Sequence, residues 1–186
     1  MKNILVIGSS GQIGSELTPE LRNRYGKNNV VAADIHIKEW ALDVGPAEKL
    51  DITDGEKLAD IVKKYEIDAI FNLAAILSAV GESKHMLAWE IGVNGLLNCL
   101  EVSRLNNCAL FTPSSIAAFG PNTPADNTPQ DTIQRPCTMY GVTKVTGELL
   151  ADYYFRKFGV DTRSVRYPGI ISNVTLPGGG TTDYAV

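Results

Sequence analysis

The sequence has little of what several protein classes require. It contains three cysteines among 186 residues, an odd number without metal-ligand spacing, so we expect reduced thiols and a cytoplasmic protein. Its two histidines, His36 and His85, lie far apart and predict no metal site. No apolar stretch approaches the roughly 20 residues that a membrane helix needs. The net charge of −4 leaves no basic surface, so neither a membrane nor a nucleic acid is expected as a partner.

What the sequence does have is a regular alternation of apolar strands and amphipathic helices. Residues 3–7 form an apolar run that ends in a glycine loop, which indicates a buried parallel strand rather than a signal peptide. Further strands are predicted at 29–34, 68–75, 108–115 and 161–170, with a short edge strand at 49–53. Helices are predicted from about Ile13 to near Gly26, and over 54–66, about 83–107 and 138–158. This alternation predicts an α/β fold with a doubly wound parallel sheet, the Rossmann fold.

One long loop and the end of the chain interrupt this alternation. Residues 120–136 contain four prolines, and a loop of this length is typically functional or disordered. Residues 181–186, TTDYAV, are typical of the start of another helix. We therefore predict a dinucleotide-binding domain over 1–172 and, over 173–186, the start of a substrate-binding region that belongs to a longer chain.

The first glycine-rich segment follows a strand and precedes a helix. It supplies Gly8, Gly11 and Gly14 in the pattern GxxGxxG, which in this context is typical of a dinucleotide-binding loop. Gly8 makes the turn, Gly11 lets the backbone approach a pyrophosphate, and Gly14 lets the helix pack closely on the strand. Asp34 ends the second strand and is suited to accept both hydroxyls of an adenosine ribose, which favours NAD over NADP. The alternative is a tight turn without a ligand.

Other residues near the ends of the strands extend the predicted cofactor site. Asp51 is suited either to accept a hydrogen bond from the adenine amino group or to cap a helix. The small residues of the segment 72–75, NLAA, would let a cofactor lie across the sheet edge, or would serve packing alone. The residues predicted to bind NAD are Gly8, Gly11, Gln12, Ile13, Gly14, Asp34, Asp51, Ile52, Leu73, Ala74, Ala75, Tyr140, Lys144 and Tyr167.

A tyrosine and a lysine on one helix face indicate proton-transfer chemistry. Tyr140 and Lys144 are neighbours because residues i and i+4 lie one turn apart. A free tyrosine has a pKa of about 10, and a nearby ammonium lowers this pKa, so Tyr140 is suited to act as a base near neutral pH. Ser114 and Ser115 end the strand before the long loop, where a hydroxyl points into the ligand crevice of a parallel sheet. The YxxxK spacing alone also fits a solvated pair on a helix surface.

Taken together, these residues resemble the extended short-chain dehydrogenase/reductase superfamily. The chain shows its order of GxxGxxG, then serine, then YxxxK. The catalytic serine of that superfamily lies five residues before the glycine of an FG pair, which here selects Ser115 rather than Ser114. The resemblance implies that Tyr140 is the general base, and that Lys144 lowers the pKa of Tyr140 and binds the nicotinamide ribose.

Four stretches narrow the resemblance to the NAD-dependent L-threonine 3-dehydrogenases of the short-chain type. They are ILSAVGE at 76–82, IQRPCTMYGVTK at 133–144, RYPGIIS at 166–172 and PGGGTTDYAV at 177–186. One position departs from the pattern of that family, because Cys137 stands where RPRT would be expected.

The same resemblance implies a substrate site, a reaction and an assembly. The implied substrate-binding residues are Ser78, Ser115, Tyr140 and Thr182, and Tyr167 would border the nicotinamide. In the implied reaction Tyr140 takes the proton of the C3 hydroxyl of L-threonine while C3 gives hydride to NAD, which yields 2-amino-3-oxobutanoate. The family pairs subunits through the helices that here span about 83–107 and 138–158, so a homodimer is expected.

Two other functions fit much of the same sequence. A sugar-nucleotide epimerase or dehydratase shares the glycine loop, the serine and YxxxK, although the PGGGTTDYAV stretch favours the threonine enzyme. A dinucleotide-binding module without turnover is the other alternative, because the predicted substrate region stops at Val186.

Overall fold

The computed structural model describes residues 2–172, without the side chain of Trp40. Thr182 and the rest of the predicted substrate region lie outside the described residues. The strands are β1 (Ile4–Ile7), β2 (Val30–Asp34), β3 (Ala47–Lys49), β4 (Ala69–Asn72), β5 (Ala109–Phe111), β6 (Ser114–Ser115), β7 (Thr162–Arg163) and β8 (Arg166–Tyr167). Six of them form one parallel sheet in the order β3-β2-β1-β4-β5-β7, and β6 and β8 form a separate parallel pair. This arrangement confirms the predicted Rossmann fold.

Helices connect these strands. They are α1 (Gln12–Tyr25), α2 (Glu39–Val44), α3 (Gly55–Lys64), α4 (Ser78–Ser83), α5 (His85–Trp89), α6 (Gly95–Asn106) and α7 (Met139–Phe158). A π-helical turn over Glu90–Asn94 joins α5 to α6, and short 3-10 turns span Lys27–Asn29 and Ile116–Ala118. Within residues 2–172, no helix has both the length and the apolar character that crossing a bilayer demands.

The central strand β1 is buried on both faces. Leu5 and Ile7 belong to a core that includes residues of α3 and α6, whereas Ile4 and Val6 face a second core that includes Leu21 of α1. Successive side chains of a strand point to opposite faces, so a continuous apolar run is stable only where helices cover both sides. Each such buried side chain contributes about 1.5–3 kcal/mol to stability.

The chain order of the strands creates a crevice above the sheet. From β1 the chain moves outward through β2 and β3, and it then returns to place β4 on the other side of β1. Ile7 and Asn72 are register partners at the carboxyl ends of β1 and β4. Ligands of open α/β sheets bind where the connections diverge in this way. The predicted dinucleotide loop follows β1 at this point.

Two features of the helices differ from the prediction. The helix predicted over about 83–107 is three helical segments that begin at Ser78. The break falls at Lys84, whose backbone angles (φ −131°, ψ 56°) lie outside the helical region, and the π-helical turn interrupts the regular hydrogen bonding before α6. The helix α2 was not predicted.

Two long strands and the edge strand also differ from the prediction. The strands expected over 108–115 and 161–170 are each divided into two, although the Thr112 amide still donates to the carbonyl of Arg163 at 3.0 Å. Pro113 has no N–H with which to continue the pairing on the β4 side, and β4 itself ends at Asn72. Beyond Pro113 the chain leaves the main sheet, and the Ser114 amide donates to the carbonyl of Val165 at 2.8 Å. The edge strand lies at 47–49 rather than 49–53, since its partner β2 ends at Asp34, opposite Lys49.

Candidate active site

The glycine loop is held by contacts that admit no larger residue at two of its three positions. A Cβ added to Gly8, where φ is +79°, would lie 2.9 Å from the amide nitrogen of Ala74. A Cβ on Gly14 would lie 2.2 Å from the carbonyl oxygen of Gly8. At Gly11 the nearest atom, the carbonyl oxygen of Gly8, would be 3.3 Å away, which is a tight contact but much less severe than those at the other two glycines. The small size of Gly11 leaves room beside the loop for a ligand.

The first turn of α1 is suited to hold an anion. Its N-cap is Gly11, which has no side chain to satisfy the free N–H groups, and the first turn carries no acidic residue. The Nε2 atom of Gln12 is buried and has no hydrogen-bond partner among the described residues. Gln12 and Ile13 also line a groove of about 360 Å³ that extends to Tyr167, although the carboxylates of Glu16 and Glu20 make its far end unsuited to an anion. The first turn of α1, with Gln12 and Ile13, fits the pyrophosphate part of a dinucleotide.

Asp34 is fixed beside this loop by two backbone amides. Its Oδ2 accepts a hydrogen bond from the Ser10 amide at 2.9 Å, and its Oδ1 accepts one from the His36 amide at 3.0 Å. Each carboxylate oxygen has a second lone pair, so both oxygens are able to accept ribose hydroxyls as well. The loop and the carboxylate therefore form one rigid unit.

The remaining predicted cofactor residues occupy different environments. Asp51 does not cap a helix: its Oδ1 accepts from the amide and the hydroxyl of Thr53, at 3.0 and 2.8 Å, and Asp54 caps α3 instead. The side chain of Ile52 is buried against Gly95, and its carbonyl oxygen accepts a hydrogen bond from the Asn98 side-chain amide at 3.0 Å. The segment of Leu73, Ala74 and Ala75 follows β4, and its first two residues pack on Gly8.

The start of α7 is packed against the turn that follows Ser115. Thr138 caps the helix by accepting a hydrogen bond from the Gly141 amide at 3.0 Å. A Cβ on Gly141 would lie 2.3 Å from the carbonyl oxygen of Ala117, so only glycine permits this approach. The Ser115 hydroxyl lies near Tyr140: burial raises the pKa of the phenol, and the neighbouring Ser115 opposes this rise in part.

Lys144 lies beside the phenol ring rather than at its hydroxyl. Its Nζ is 5.2 Å from the centroid of the Tyr140 ring and donates to the carbonyl oxygen of Pro113 at 2.9 Å. Burial lowers the pKa of Lys144 to about 8, and burial raises the pKa of Tyr140 above its ordinary value despite the contact with Ser115. The lowering of the Tyr140 pKa by Lys144 stays a prediction: within the protein itself, burial dominates and the hydrogen bond of the amine goes to Pro113.

Two strands from distant parts of the sequence complete the site. In the β6–β8 pair, Ser115 is the direct register partner of Tyr167, and Ser114 is that of Arg166. Because neighbouring residues on a strand point to opposite sides, Ser114 turns away from Tyr140 and donates to Glu148 instead. The structure thus brings Ser115, Tyr140, Lys144 and Tyr167 together.

The predicted substrate residue Ser78 begins a helix that is docked on α7. Within α4, Glu82 accepts a hydrogen bond from the Met139 amide at 2.7 Å, which ties this helix to the first turn of α7. Ser78 is partly exposed at the other end of α4. Across the described part of the chain, no three His, Cys, Asp or Glu side chains gather in a way suited to a metal ion.

Several residues that support this site were not predicted. The carbonyl of Pro113 holds the Lys144 amine, and Glu148 binds Ser114, Arg166 and Gln134. A signal for Glu148 exists in the sequence, because it follows Lys144 by four residues and thus shares its helix face. Its partners lie far away along the chain, and only the folded structure shows them.

The chain is similar in sequence and fold to several known proteins. The model of the NAD dependent epimerase/dehydratase family matches residues 4–181. An uncharacterized epimerase/dehydratase from Staphylococcus aureus is 55% identical over 188 residues, which cover 100% of this chain and 59% of that protein. The L-threonine dehydrogenase from Clostridium difficile is 60% identical with a TM-score of 0.96, over 100% of this chain and 59% of that one. The L-threonine dehydrogenase from Cupriavidus necator in its holo form is 48% identical with a TM-score of 0.94, over 99% and 60% of the two chains.

These relatives fix the family and show the extent of the match. The chain spans about 59% of the length of the Staphylococcus relative and of the Clostridium enzyme. The family model covers β1 to β8, and with them the glycine loop, the serine strand and the tyrosine helix. The chain therefore belongs to the NAD dependent epimerase/dehydratase family.

Proposed function

We propose that the protein acts as an NAD-dependent L-threonine 3-dehydrogenase. The observation that carries the proposal is that Ser115, Tyr140 and Lys144 lie together beyond the carboxyl end of β5, while the glycine loop and Asp34 lie at the carboxyl ends of β1 and β2 in the same parallel sheet. The names of the Clostridium and Cupriavidus relatives support the choice of L-threonine as substrate.

NAD is the proposed cofactor. The first turn of α1 and the space beside Gly11 would hold its pyrophosphate, Asp34 would accept its adenosine ribose hydroxyls, and Tyr167 would border its nicotinamide. Once bound, NAD supplies the hydride acceptor and the positive charge of its oxidised ring.

The side chains of this protein carry the proton transfer. The Ser115 hydroxyl would hold the C3 hydroxyl of the substrate against Tyr140, whose phenolate takes the proton. Burial raises the pKa of this phenol, so its ionisation needs positive charge nearby. Below its own pKa of about 8, Lys144 supplies such a charge 5.2 Å from the ring centroid. Ser78 and Thr182 complete the proposed substrate site.

The proposal is tested by incubating the complete protein with L-threonine and NAD and following NADH absorbance. We expect NADH to form with L-threonine and not with UDP-sugars. A sugar-nucleotide epimerase or dehydratase is the second candidate, because the family model and the Staphylococcus relative both carry that description. Conversion of a UDP-sugar without reaction of L-threonine would establish the second candidate.

A third outcome separates binding from turnover. If the 186-residue chain binds NAD, as measured by fluorescence quenching, but oxidises nothing, it is a dinucleotide-binding module. The mass of the intact protein, measured alongside, shows whether the active molecule extends beyond Val186. We also propose that residues 1–172 form the NAD-binding domain and that residues 173–186 begin the substrate region. Binding of NAD without turnover by the 186-residue chain would support this division.

A homodimer in the cytoplasm completes the proposal. The helices α5 to α7 expose apolar side chains, among them Met86 (69% exposed), Leu105 (69%), Leu149 (63%) and Tyr153 (52%). A second copy of this chain would cover them in a four-helix interface. Sedimentation of the Leu149→Asp variant would then show monomers where the wild-type protein shows dimers; identical sedimentation would rule out this interface.

The free cysteines Cys99, Cys108 and Cys137 agree with a reducing compartment.

A further inference from the structure

The carboxylate of Glu148 is a junction between four segments of the chain. It lies on α7, four residues after Lys144 and eight after Tyr140, and therefore on the same side of the helix. Arg166 binds it with two hydrogen bonds, from Nε at 2.8 Å and from Nη2 at 2.7 Å. Gln134 donates a third at 2.7 Å, and the Ser114 hydroxyl donates a fourth.

Each donor belongs to a segment that carries a residue of the proposed site. Ser114 precedes Ser115 on β6, and Arg166 precedes Tyr167 on β8. Gln134 lies in the long loop that leads into α7, and Arg166 also donates to the carbonyl of Gln130 in that loop at 2.9 Å. One carboxylate thus connects the serine strand, the strand of Tyr167 and the loop to the helix of Tyr140.

The ion pair of Glu148 and Arg166 is shielded from water. Both side chains are only 17% exposed, and the Arg166 guanidinium stacks over the ring of Phe119 at 5.2 Å. A bidentate arginine–carboxylate contact fixes orientation as well as distance. The hydrogen bonds from Arg166, Ser114 and Gln134 together hold the pKa of Glu148 below its ordinary value, although burial opposes them.

We propose that Glu148 and Arg166 are positioning residues, which hold Ser115 and Tyr167 in place against Tyr140 and thereby set the rate of turnover without touching the substrate. The inference rests on the proposed function of this site. Its physical basis is that β6 and β8 are each only two residues long, and that the Ser115 hydroxyl is otherwise held by the Ala117 amide, which donates to it at 3.1 Å within the same turn. The shared carboxylate adds a constraint that ties this turn and the strand of Tyr167 to the helix of Tyr140.

The test compares Glu148→Gln with a matched control, Glu101→Gln, in the complete protein. Glu101 also binds an arginine and a hydroxyl, through Arg104 at 2.7 Å and Tyr154 at 2.5 Å, but no residue of the site lies beside these partners. We expect Glu148→Gln to lower kcat for L-threonine roughly 10- to 100-fold, with the dissociation constant of NAD unchanged, because small misplacements of reacting groups cost about this much. Glu101→Gln is expected to keep the wild-type kcat. Equal kcat values in the two variants would overturn the proposal.

Hydrogen exchange without substrate gives a readout that does not depend on the reaction. We expect backbone amides of residues 113–119 and 130–136 to exchange faster in Glu148→Gln than in the wild-type protein, and to be unchanged in Glu101→Gln. If the wild-type protein does not oxidise L-threonine, the proposed function fails. The rates of amide hydrogen exchange still show in that case whether Glu148 and Arg166 hold residues 113–119 and 130–136 in place. Unchanged exchange in Glu148→Gln overturns the positioning role.

A milder variant covers the case in which Glu148→Gln does not fold. Gln134→Leu removes one of the four hydrogen bonds to Glu148 and leaves the ion pair intact. We expect its kcat to fall between those of Glu101→Gln and Arg166→Lys, the latter of which keeps the charge but loses the bidentate contact. Wild-type kcat in both Gln134→Leu and Arg166→Lys would refute the inference.

Discussion

Ser115 and Tyr167 are direct partners across the short parallel pair β6–β8, although 52 positions separate them in the sequence. This pairing places the serine of the proposed proton transfer next to the tyrosine that would border the nicotinamide. The strand pair also lies against α7, which carries Tyr140 and Lys144. The proposed proton-transfer site therefore lies where the two strands β6 and β8 leave the main sheet.

Removing the hydroxyl of Tyr140 should stop oxidation without loss of the cofactor. We expect Tyr140→Phe to lower kcat by about 100-fold or more, because a general base contributes about 10²–10⁴-fold to such a reaction. Titration with NAD should give the wild-type dissociation constant, since the ring itself remains. Tyr25→Phe, at the exposed end of α1, is the control and should leave kcat unchanged. Wild-type turnover by Tyr140→Phe would remove the proposed mechanism.

The carboxylate of Asp34 should decide between the two nicotinamide cofactors. Asp34→Ala loses the acceptors for the Ser10 and His36 amides and for the ribose, so we expect roughly a 10- to 100-fold loss of NAD affinity. NADP affinity should fall less or rise, because the repulsion of its 2′-phosphate disappears. Asp34→Asn keeps one acceptor oxygen, so its NAD affinity should lie between that of the wild-type protein and that of Asp34→Ala. An unchanged ratio of the NAD and NADP dissociation constants in both variants would contradict the ribose contact.

Two glycines of the same loop should respond to alanine in opposite ways. In Gly14→Ala the new Cβ meets the carbonyl oxygen of Gly8 at 2.2 Å, so we expect a loss of about 1–3 kcal/mol or more in the free energy of unfolding. In Gly11→Ala the nearest atom is 3.3 Å away, so stability should fall much less than in Gly14→Ala while NAD affinity falls. Urea unfolding and NAD titration of both variants check this. Full NAD affinity in a stable Gly11→Ala protein would show that no ligand approaches there.

The buried amine of Lys144 should make stability depend on pH above neutrality. Burial lowers its pKa from 10.5 to about 8, so between these values the unfolded chain binds a proton that the native protein has lost. The number of protons bound is then larger in the unfolded state, and this contribution raises the free energy of unfolding as the pH increases. The cost of burying the ammonium is fully present below about pH 8 and fades above it.

Lys144→Met removes this dependence. We expect the variant to gain stability relative to the wild-type protein at about pH 7, and this gain to shrink at about pH 9, as measured by urea unfolding. Lys157→Met, at an exposed position of the same helix, should show the same difference from the wild-type protein at both pH values. A gain for Lys144→Met that does not change between the two pH values would show that Lys144 keeps its proton throughout.

Much of the fold and part of the site were predictable because their signals are local. The apolar run of β1, the glycine pattern and the step of four residues from Tyr140 to Lys144 all lie within a few positions, and the structure has the strand, the loop and the shared helix face. The choice of Ser115 over Ser114 came from a resemblance, and the structure adds a reason: Ser114 turns to Glu148. Roles in catalysis stay predictions that the variants above test.

Other features were not predictable because their partners are distant. The division of the strands at 108–115 and 161–170 depends on β4, which ends at Asn72 and leaves the pair β6–β8 outside the main sheet. Arg22, nearly fully buried, donates to carbonyl oxygens of three residues that lie 8 to 24 positions away, and nothing in the sequence near it distinguishes it from the exposed Arg24.

The sequence by itself determined the order of strands and helices and the identity of the residues able to carry the chemistry, since periodicity and glycine spacing act over short stretches. The tertiary structure alone decided how these residues meet. It placed the Lys144 amine on the Pro113 carbonyl, raised the pKa of Tyr140 by burial, and gathered three distant donors on Glu148. Burial and long-range pairing set these properties, and both arise only when segments far apart in the chain pack together.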